Sequence, residues 1–145
     1  MNLQDIKCTA CIGAGLIGSS WATLFAKNGY EVNIYDIDPT QLAESGKRIR
    51  AFLGVYVGEG YLSENDVEQI LGRIHFCENI EEALSGVQLI QECSAEKLDV
   101  KKKLLEQIDA LNQTALFCSS TSTLNISDIA VNSAFPERCL GAHPY

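Results

Sequence analysis

The chain has 145 residues, one domain's worth, and 46% of them are hydrophobic, ample for a core. Its net charge of −8 argues against nucleic acid and anionic membrane surfaces as partners. No apolar run nears the ~20 residues that cross a bilayer, and Met1-Asn2-Leu3-Gln4-Asp5 lacks the basic segment of a signal peptide.

Residues 7–12 predict a first strand. It runs into Gly13-Ala14-Gly15-Leu16-Ile17-Gly18, a G-x-G-x-x-G pattern in strand–turn–helix context. Gly13 permits the tight turn, Gly15 lets backbone approach a diphosphate, and Gly18 lets the helix lie close to the sheet. The free N–H groups at Leu16 and Ile17, with the positive end of the helix dipole, would hold phosphates. The pattern predicts a nicotinamide or flavin dinucleotide. The helix spans 16–28, with Gly29 suited to its C-terminal cap. Ile17, Trp21, Leu24 and Phe25 fall at helical spacing and predict its core side, so Trp21 reads as core and not as a ligand-stacking ring.

A second strand, 31–35, ends in Asp36, near the ~20-residue spacing expected of an acid that accepts ribose hydroxyls. A carboxylate there repels a 2′-phosphate, and Ile37 and Asp38 supply no arginine, so the cofactor reads as NAD and not NADP. Alternatively, Asp36 merely ends the strand before Asp38-Pro39, a helix start signal. The helix that follows carries Leu42, Gly46, Ile49, Leu53 and Tyr56 in a stripe, and glycines 54, 58 and 60 loosen its end. Ser63-Glu64-Asn65-Asp66 resembles a capping box and opens another helix, with Val67, Ile70, Leu71 and Ile74 on one side. The two helices predict an antiparallel hairpin.

Residues 75–77 predict a short strand, and Asn79 caps a short helix ending at Gly86. A strand over 87–92 closes on Glu92. The helix over 96–111 has a core stripe of Leu98, Leu105, Ile108 and Leu111, with Asp99 placed to pair with Lys102 or Lys103. A strand over 114–118, a hydroxyl-rich stretch at 119–123, a short helix over 125–130, a turn at 135–137 and a strand over 138–142 complete the chain. Alternating elements of this kind predict an α/β fold: a Rossmann-type, doubly wound, mostly parallel sheet with a helical hairpin inserted after strand two.

Cys8 and Cys11 form a C-x-x-C, but on a strand positions three apart point to opposite faces and cannot share a metal. Cys77, Cys93, Cys118 and Cys139 lie at or near the ends of apolar runs. All six cysteines read as small buried residues in a reducing compartment, and no metal site is expected.

In such sheets ligands bind beyond the carboxyl ends of the strands. Those ends hold residues 13–18, Asp36, 92–96, 119–122 and His143. Pro144 keeps His143 on extended chain. Oxidation of a secondary alcohol needs a base for the hydroxyl proton, and histidine suits that role near neutral pH. Alternatively, His143 is a surface residue at the end of the chain. Ser122 suits a hydrogen bond to the substrate oxygen, or residues 119–123 cap the next helix. Lys101 lies near the apolar side of its helix, either facing a ligand or snorkelling its amine to water.

Residues 13–21, Gln91-Glu92-Cys93 with 98–103, residues 119–124, and Ala142-His143-Pro144 together resemble the NAD-binding domain of the 3-hydroxyacyl-CoA dehydrogenase family. They look closest to its lambda-crystallin and L-gulonate 3-dehydrogenase branch. The resemblance covers essentially the whole chain, so residues 1–145 are expected to form the NAD-binding domain. It implies that His143 is the catalytic base and that Ser122 contacts substrate and nicotinamide. Asp36 then binds the adenosine ribose, and Glu96 and Lys101 line the cofactor site. It also implies a following all-helical domain, absent from this chain, and a glutamate past Tyr145 that orients the histidine. On that basis this stretch alone binds NAD and is nearly inactive.

The expected reaction moves hydride from C3 of a hydroxy acid or hydroxyacyl-CoA to NAD. The resemblance further implies a cytoplasmic homodimer, with fatty acid metabolism as the setting for the acyl-CoA substrates. Phe52 and Glu59 stand where the acyl-CoA enzymes offer a serine and a lysine to CoA, which favours a smaller free hydroxy acid. Two other classes remain: a crystallin-like NAD-binding protein without catalysis, and a flavoprotein.

Overall fold

The structure, a computed structural model, describes residues 3–144. The expectations about the first two residues, and about a glutamate past Tyr145, lie outside the described residues. Six strands are β1 (Cys8–Ile12), β2 (Glu31–Tyr35), β3 (Ile74–Phe76), β4 (Leu89–Glu92), β5 (Leu116–Ser119) and β6 (Cys139–Gly141). Between them run α1 (Leu16–Lys27), α2 (Pro39–Gly58), α3 (Glu64–Leu71), α4 (Ile80–Leu84), α5 (Leu98–Leu111) and α6 (Ile126–Ile129). All pairings are parallel, in the order β3-β2-β1-β4-β5-β6. The strand order reverses between β1 and β4, the switch point at which doubly wound sheets open a crevice.

Both faces of the sheet are covered. Ala10, Ile12, Ile90 and Phe117 pack with Leu105 and Ile108 of α5 on one face, and Cys11, Val32 and Ile34 pack with Ile49 and Leu53 of α2 on the other. Cys8 packs against the first of these clusters and Cys11 belongs to the second, as strand alternation requires. All six thiols are free. Among the described residues no group of three or more metal-ligating side chains converges. No described helix is long and apolar enough to cross a membrane.

Local signals set most helix starts. Asp38 accepts the Thr40 N–H at 2.8 Å before Pro39, and Ser63 and Asp66 close a reciprocal capping box. Asn79 and Asn125 cap α4 and α6. The α2–α3 hairpin after β2 is present, and α2 runs through Gly54 to Gly58 before Gly60 turns the chain at φ +74°.

Four packing expectations need correction. The buried face of α1 is Gly18, Ser19, Ala22, Thr23 and Ala26, whereas Ile17 and Leu24 are exposed and Trp21 stacks on Phe25 at its margin. Close approach of helix to sheet selects small side chains: a Cβ on Gly18 would lie 1.8 Å from the Gly13 carbonyl oxygen. Ile74 belongs to β3, where it pairs with Val32, and not to α3. Leu111 is 42% exposed, and the inner face of α5 is Lys101, Leu105, Ile108 and Asp109. Asp99 forms no ion pair among the described residues. Asp109 instead pairs with Arg138 and accepts hydrogen bonds from Ser133 Oγ and the Ala134 N–H, tying the approach to β6 onto α5.

Candidate active site

The register brings Tyr35, Ile12, Glu92, Ser119 and Gly141 into one row across the sheet. The next residues, Asp36, Gly13, Cys93, Ser120 and Ala142, therefore emerge together at the carboxyl edge.

The glycine turn is built for close approach. Gly13 has φ +104°, and a Cβ there would sit 2.5 Å from the Cys93 carbonyl oxygen. Around Gly15 nothing lies within 4 Å of a Cβ position, so the turn is open on its outer side. The Ala14 peptide is gripped at both ends. Its N–H donates to Asp36 Oδ2 at 2.6 Å, and its carbonyl accepts from Arg48 at 2.8 Å and Ser19 Oγ at 3.1 Å. Asp36 Oδ1 also accepts the Asp38 N–H at 2.9 Å, which fixes the carboxylate. Of the six helices, α1 and α5, which follow the switch-point strands β1 and β4, have no side-chain cap. The first-turn amides of α1, among them Leu16 and Ile17, thus face outward without a protein oxygen from the N-cap.

Beside the turn lies a cavity of about 530 Å³, walled by Gly13, Gly15, Asp36 and Gln41 and by apolar Ile80 and Leu104. Open amides suit a diphosphate, a fixed carboxylate suits a ribose diol, and an apolar slot suits a flat base. The donor set fits NAD.

A second cluster joins β4, α5 and the segment after β5. Lys101 is 1% exposed and donates to both oxygens of the fully buried Glu92, at 2.8 and 3.0 Å. Its amine is therefore deep inside and does not snorkel. Glu92 also accepts from the Ser94 N–H, Ser94 Oγ and Ser119 Oγ at 2.6, 2.7 and 2.5 Å. Lys101 reaches on to Glu96 Oε2 at 3.4 Å. The hydroxyl-rich segment wraps Glu96 and leaves the capping of α6 to Asn125: Thr121 Oγ1 donates at 2.5 Å, and the Ser122 and Thr123 N–H groups at 3.0 and 3.2 Å. Partial burial pushes the Glu96 carboxyl up, but the Thr121 hydroxyl, the two amides and the Lys101 charge outweigh it and hold it at about 2. Ser122 is exposed, and its hydroxyl makes no hydrogen bond among the described residues.

His143 is exposed, and its Nδ1 lies 3.0 Å from the Ser120 carbonyl oxygen. A carbonyl only accepts, so Nδ1 carries the hydrogen and the ring's lone pair lies on Nε2. Cys93 is no rival nucleophile, because burial pushes its thiol up to about 12.

Gly13, Gly15 and Asp36 thus line the cavity, while Gly18 anchors α1. Glu96, Lys101 and Ser122 form one hydrogen-bonded group, and His143 meets it through Ser120. Arg48, which grips the turn, was not singled out by sequence; Glu92 and Gln91 entered only as a strand end and as part of the resemblance, without a role. A lone polar residue in an apolar strand run, as at Gln91, was the available signal.

Residues 8–145 match the family model described as "3-hydroxyacyl-CoA dehydrogenase, NAD binding domain". The chain is 37% identical to the lambda-crystallin homolog of Homo sapiens over 139 residues, covering 94% of this chain and 44% of that protein. It is 39% identical over 144 residues to the L-carnitine dehydrogenase/betainyl-CoA thioesterase of Rhizobium meliloti (strain 1021), covering 99% of this chain and 28% of that protein. The solved 3-hydroxybutyryl-CoA dehydrogenase of Escherichia coli K12 superposes with a TM-score of 0.91 at 32% identity, over 97% of this chain and 30% of that one. The chain spans less than half the length of these relatives.

Proposed function

The chain belongs to the 3-hydroxyacyl-CoA dehydrogenase family as its NAD-binding domain, and on that premise we propose that it is the cofactor half of an NAD-dependent dehydrogenase acting on L-3-hydroxy acids or their CoA esters. The observation that carries this reading is the His143–Ser120 contact at the same sheet edge as the glycine turn. With its hydrogen on Nδ1, the ring offers Nε2 to the substrate hydroxyl proton. Ser122, held by the Glu96 loop, steadies the substrate oxygen. The amides at Gly15, Leu16 and Ile17 and the Asp36 carboxylate hold the diphosphate and adenosine ribose, with Gly13 and Gly18 shaping the turn. Glu96 and Lys101 shape the nicotinamide end. Bound NAD supplies the acceptor for the hydride that leaves C3 of the substrate.

We place the rest of the catalytic unit in an all-helical domain after this one, whose glutamate orients His143, in a cytoplasmic homodimer. A free hydroxy acid is favoured over an acyl-CoA. Phe52 lines a mostly apolar groove with Leu24 and Tyr56, whose ring holds the Lys27 amine, and Glu59 stands exposed at the end of α2, where its charge disfavours CoA phosphates. A crystallin-like protein that binds NAD without turnover is the second reading, supported by the 37% identity to a lambda-crystallin homolog.

The test is NADH formation by the whole protein from free L-3-hydroxy acids, L-gulonate included, and from 3-hydroxyacyl-CoAs. Turnover that falls by roughly 100-fold or more in His143→Ala is the expected result, since a positioned base contributes about 10²–10⁴. Unchanged turnover in that variant removes His143 from the chemistry. No turnover on either class leaves the crystallin-like reading.

A further inference from the structure

We propose that Arg48 is a positioning residue for the dinucleotide: its guanidinium turns the Gly15 N–H outward and sets a positive charge, paired with no carboxylate, behind the seat of the diphosphate. Arg48 lies half-buried on α2 and takes part in none of the ion pairs among the described residues, in a chain of net charge −8. Glu44, one turn back on the same helix, feels its charge but is bonded to Lys47. The guanidinium is committed instead to neutral acceptors. Nη1 donates to the Ala14 carbonyl and Nη2 to Gln41 Oε1, each at 2.8 Å. Gln41 walls the cavity beside Asp36. One side chain thus joins the glycine turn to the cavity wall.

The buried Ala14 stands just before Gly15, the N-cap of α1, whose carbonyl takes the Ser19 N–H. The Ala14 carbonyl therefore lies outside the helix ladder and needs partners from side chains. Ser19 Oγ, at 3.1 Å, fills one lone pair, and Arg48 fills the other with a charged donor. In a trans peptide the C=O and the following N–H point in opposite directions. Holding the Ala14 oxygen towards α2 thus aims the Gly15 N–H at the open side of the turn. There it meets no acceptor among the described residues, and nothing lies within 4 Å of a Cβ position. Asp36 fixes the preceding peptide in the same way, by taking the Ala14 N–H at 2.6 Å. The guanidinium, the Ala14–Gly15 peptide and a phosphate oxygen on the Gly15 N–H then stand in line, with the charge about 8 Å from the phosphate.

The inference rests on the glycine turn being the NAD site, and its test reads binding and not turnover. Adenosine carries the base and the ribose that Asp36 takes, but no phosphate. Titrations of the whole protein measure NADH and ADP-ribose directly, and adenosine by its competition with NADH. In Arg48→Met, which keeps the aliphatic stem, NADH and ADP-ribose weaken roughly tenfold while adenosine stays within about twofold, as expected when a charge and its hydrogen bond are removed from behind a dianion. Arg48→Lys keeps the charge and recovers most of the loss. Equal weakening of all three ligands assigns Arg48 to packing alone and overturns the proposal, as does the absence of recovery in Arg48→Lys. Should Arg48→Met not fold, Arg48→Gln removes the charge and leaves a donor for the carbonyl. The phosphate-bearing ligands must still lose ground to adenosine there, and parallel behaviour overturns the proposal equally. NADH that fails to bind wild type overturns both this inference and the reading of the glycine turn. NADH bound alike by wild type and Arg48→Met overturns this inference alone.

Discussion

Replacing Lys101 with methionine removes the ammonium and keeps most of the aliphatic stem. Glu92 then stays fully buried with three hydrogen bonds, from the Ser94 N–H, Ser94 Oγ and Ser119 Oγ, in place of five. Breaking a buried ion pair from one side costs about 3–5 kcal/mol, because an uncompensated charge remains. The three surviving hydrogen bonds place this variant near the lower figure, about 3 kcal/mol. That is a large part of the ~5–15 kcal/mol that stabilises an ordinary domain, and it corresponds to a drop of roughly 10 °C in Tm. Urea unfolding followed by circular dichroism measures it. The double variant Glu92→Gln/Lys101→Met removes the stranded charge and should recover most of the loss. A single-variant cost below about 1 kcal/mol, or a double variant no more stable than the single, refutes the assignment of this pair as a buried, mutually dependent charge couple.

Two further outcomes follow from the same geometry. Gly15→Ala should fold normally, since φ is −67° and its methyl meets nothing within 4 Å, yet NADH binding should weaken about tenfold or more because the methyl occupies the diphosphate approach. Gly18→Ala should lose about 1–3 kcal/mol as well as binding, since its methyl meets the Gly13 carbonyl; paired thermal melts and titrations separate the two. For Glu96, the folded carboxyl titrates at about 2 against 4.5 when unfolded. A lowered folded value means that its contribution is complete above pH 4.5 and is lost as pH falls towards 2. With the side chain 38% exposed, screening reduces that contribution to the order of 1 kcal/mol. Glu96→Gln should flatten the stability profile in that window and leave it parallel to wild type above it.

What was legible in the sequence was local. The glycine turn, Asp36 and the caps at Asp38, Ser63, Asn79 and Asn125 depend on a few neighbouring residues, and each appears where the spacing put it. The mostly parallel, doubly wound sheet followed from β/α alternation. What depended on distance across the fold was not legible. The face of α1 is decided by how near the helix lies to the sheet, so the large side chains at Ile17 and Leu24 were pushed outward and the small ones turned in. Lys101 looked like a snorkelling stem because its partner sits on a strand whose apposition to α5 is a tertiary fact. The partners of Gln91, the Ser120 hydroxyl and the Ala142 carbonyl, lie 29 and 51 residues away, beyond any local pattern. The hydroxyls at 119–123 read as a cap or a substrate contact, and the structure gives most of them a third task, the enclosure of Glu96 and Glu92.

The most direct test of the central claim is calorimetric titration of this chain with NADH and, separately, NADPH, in wild type and Asp36→Ala. Clear NADH binding, much weaker NADPH binding and loss of the preference in Asp36→Ala are the predicted result. Equal affinity for both nucleotides, or NADH binding untouched by Asp36→Ala, would contradict the assignment of the glycine turn and Asp36 as an NAD-selective site.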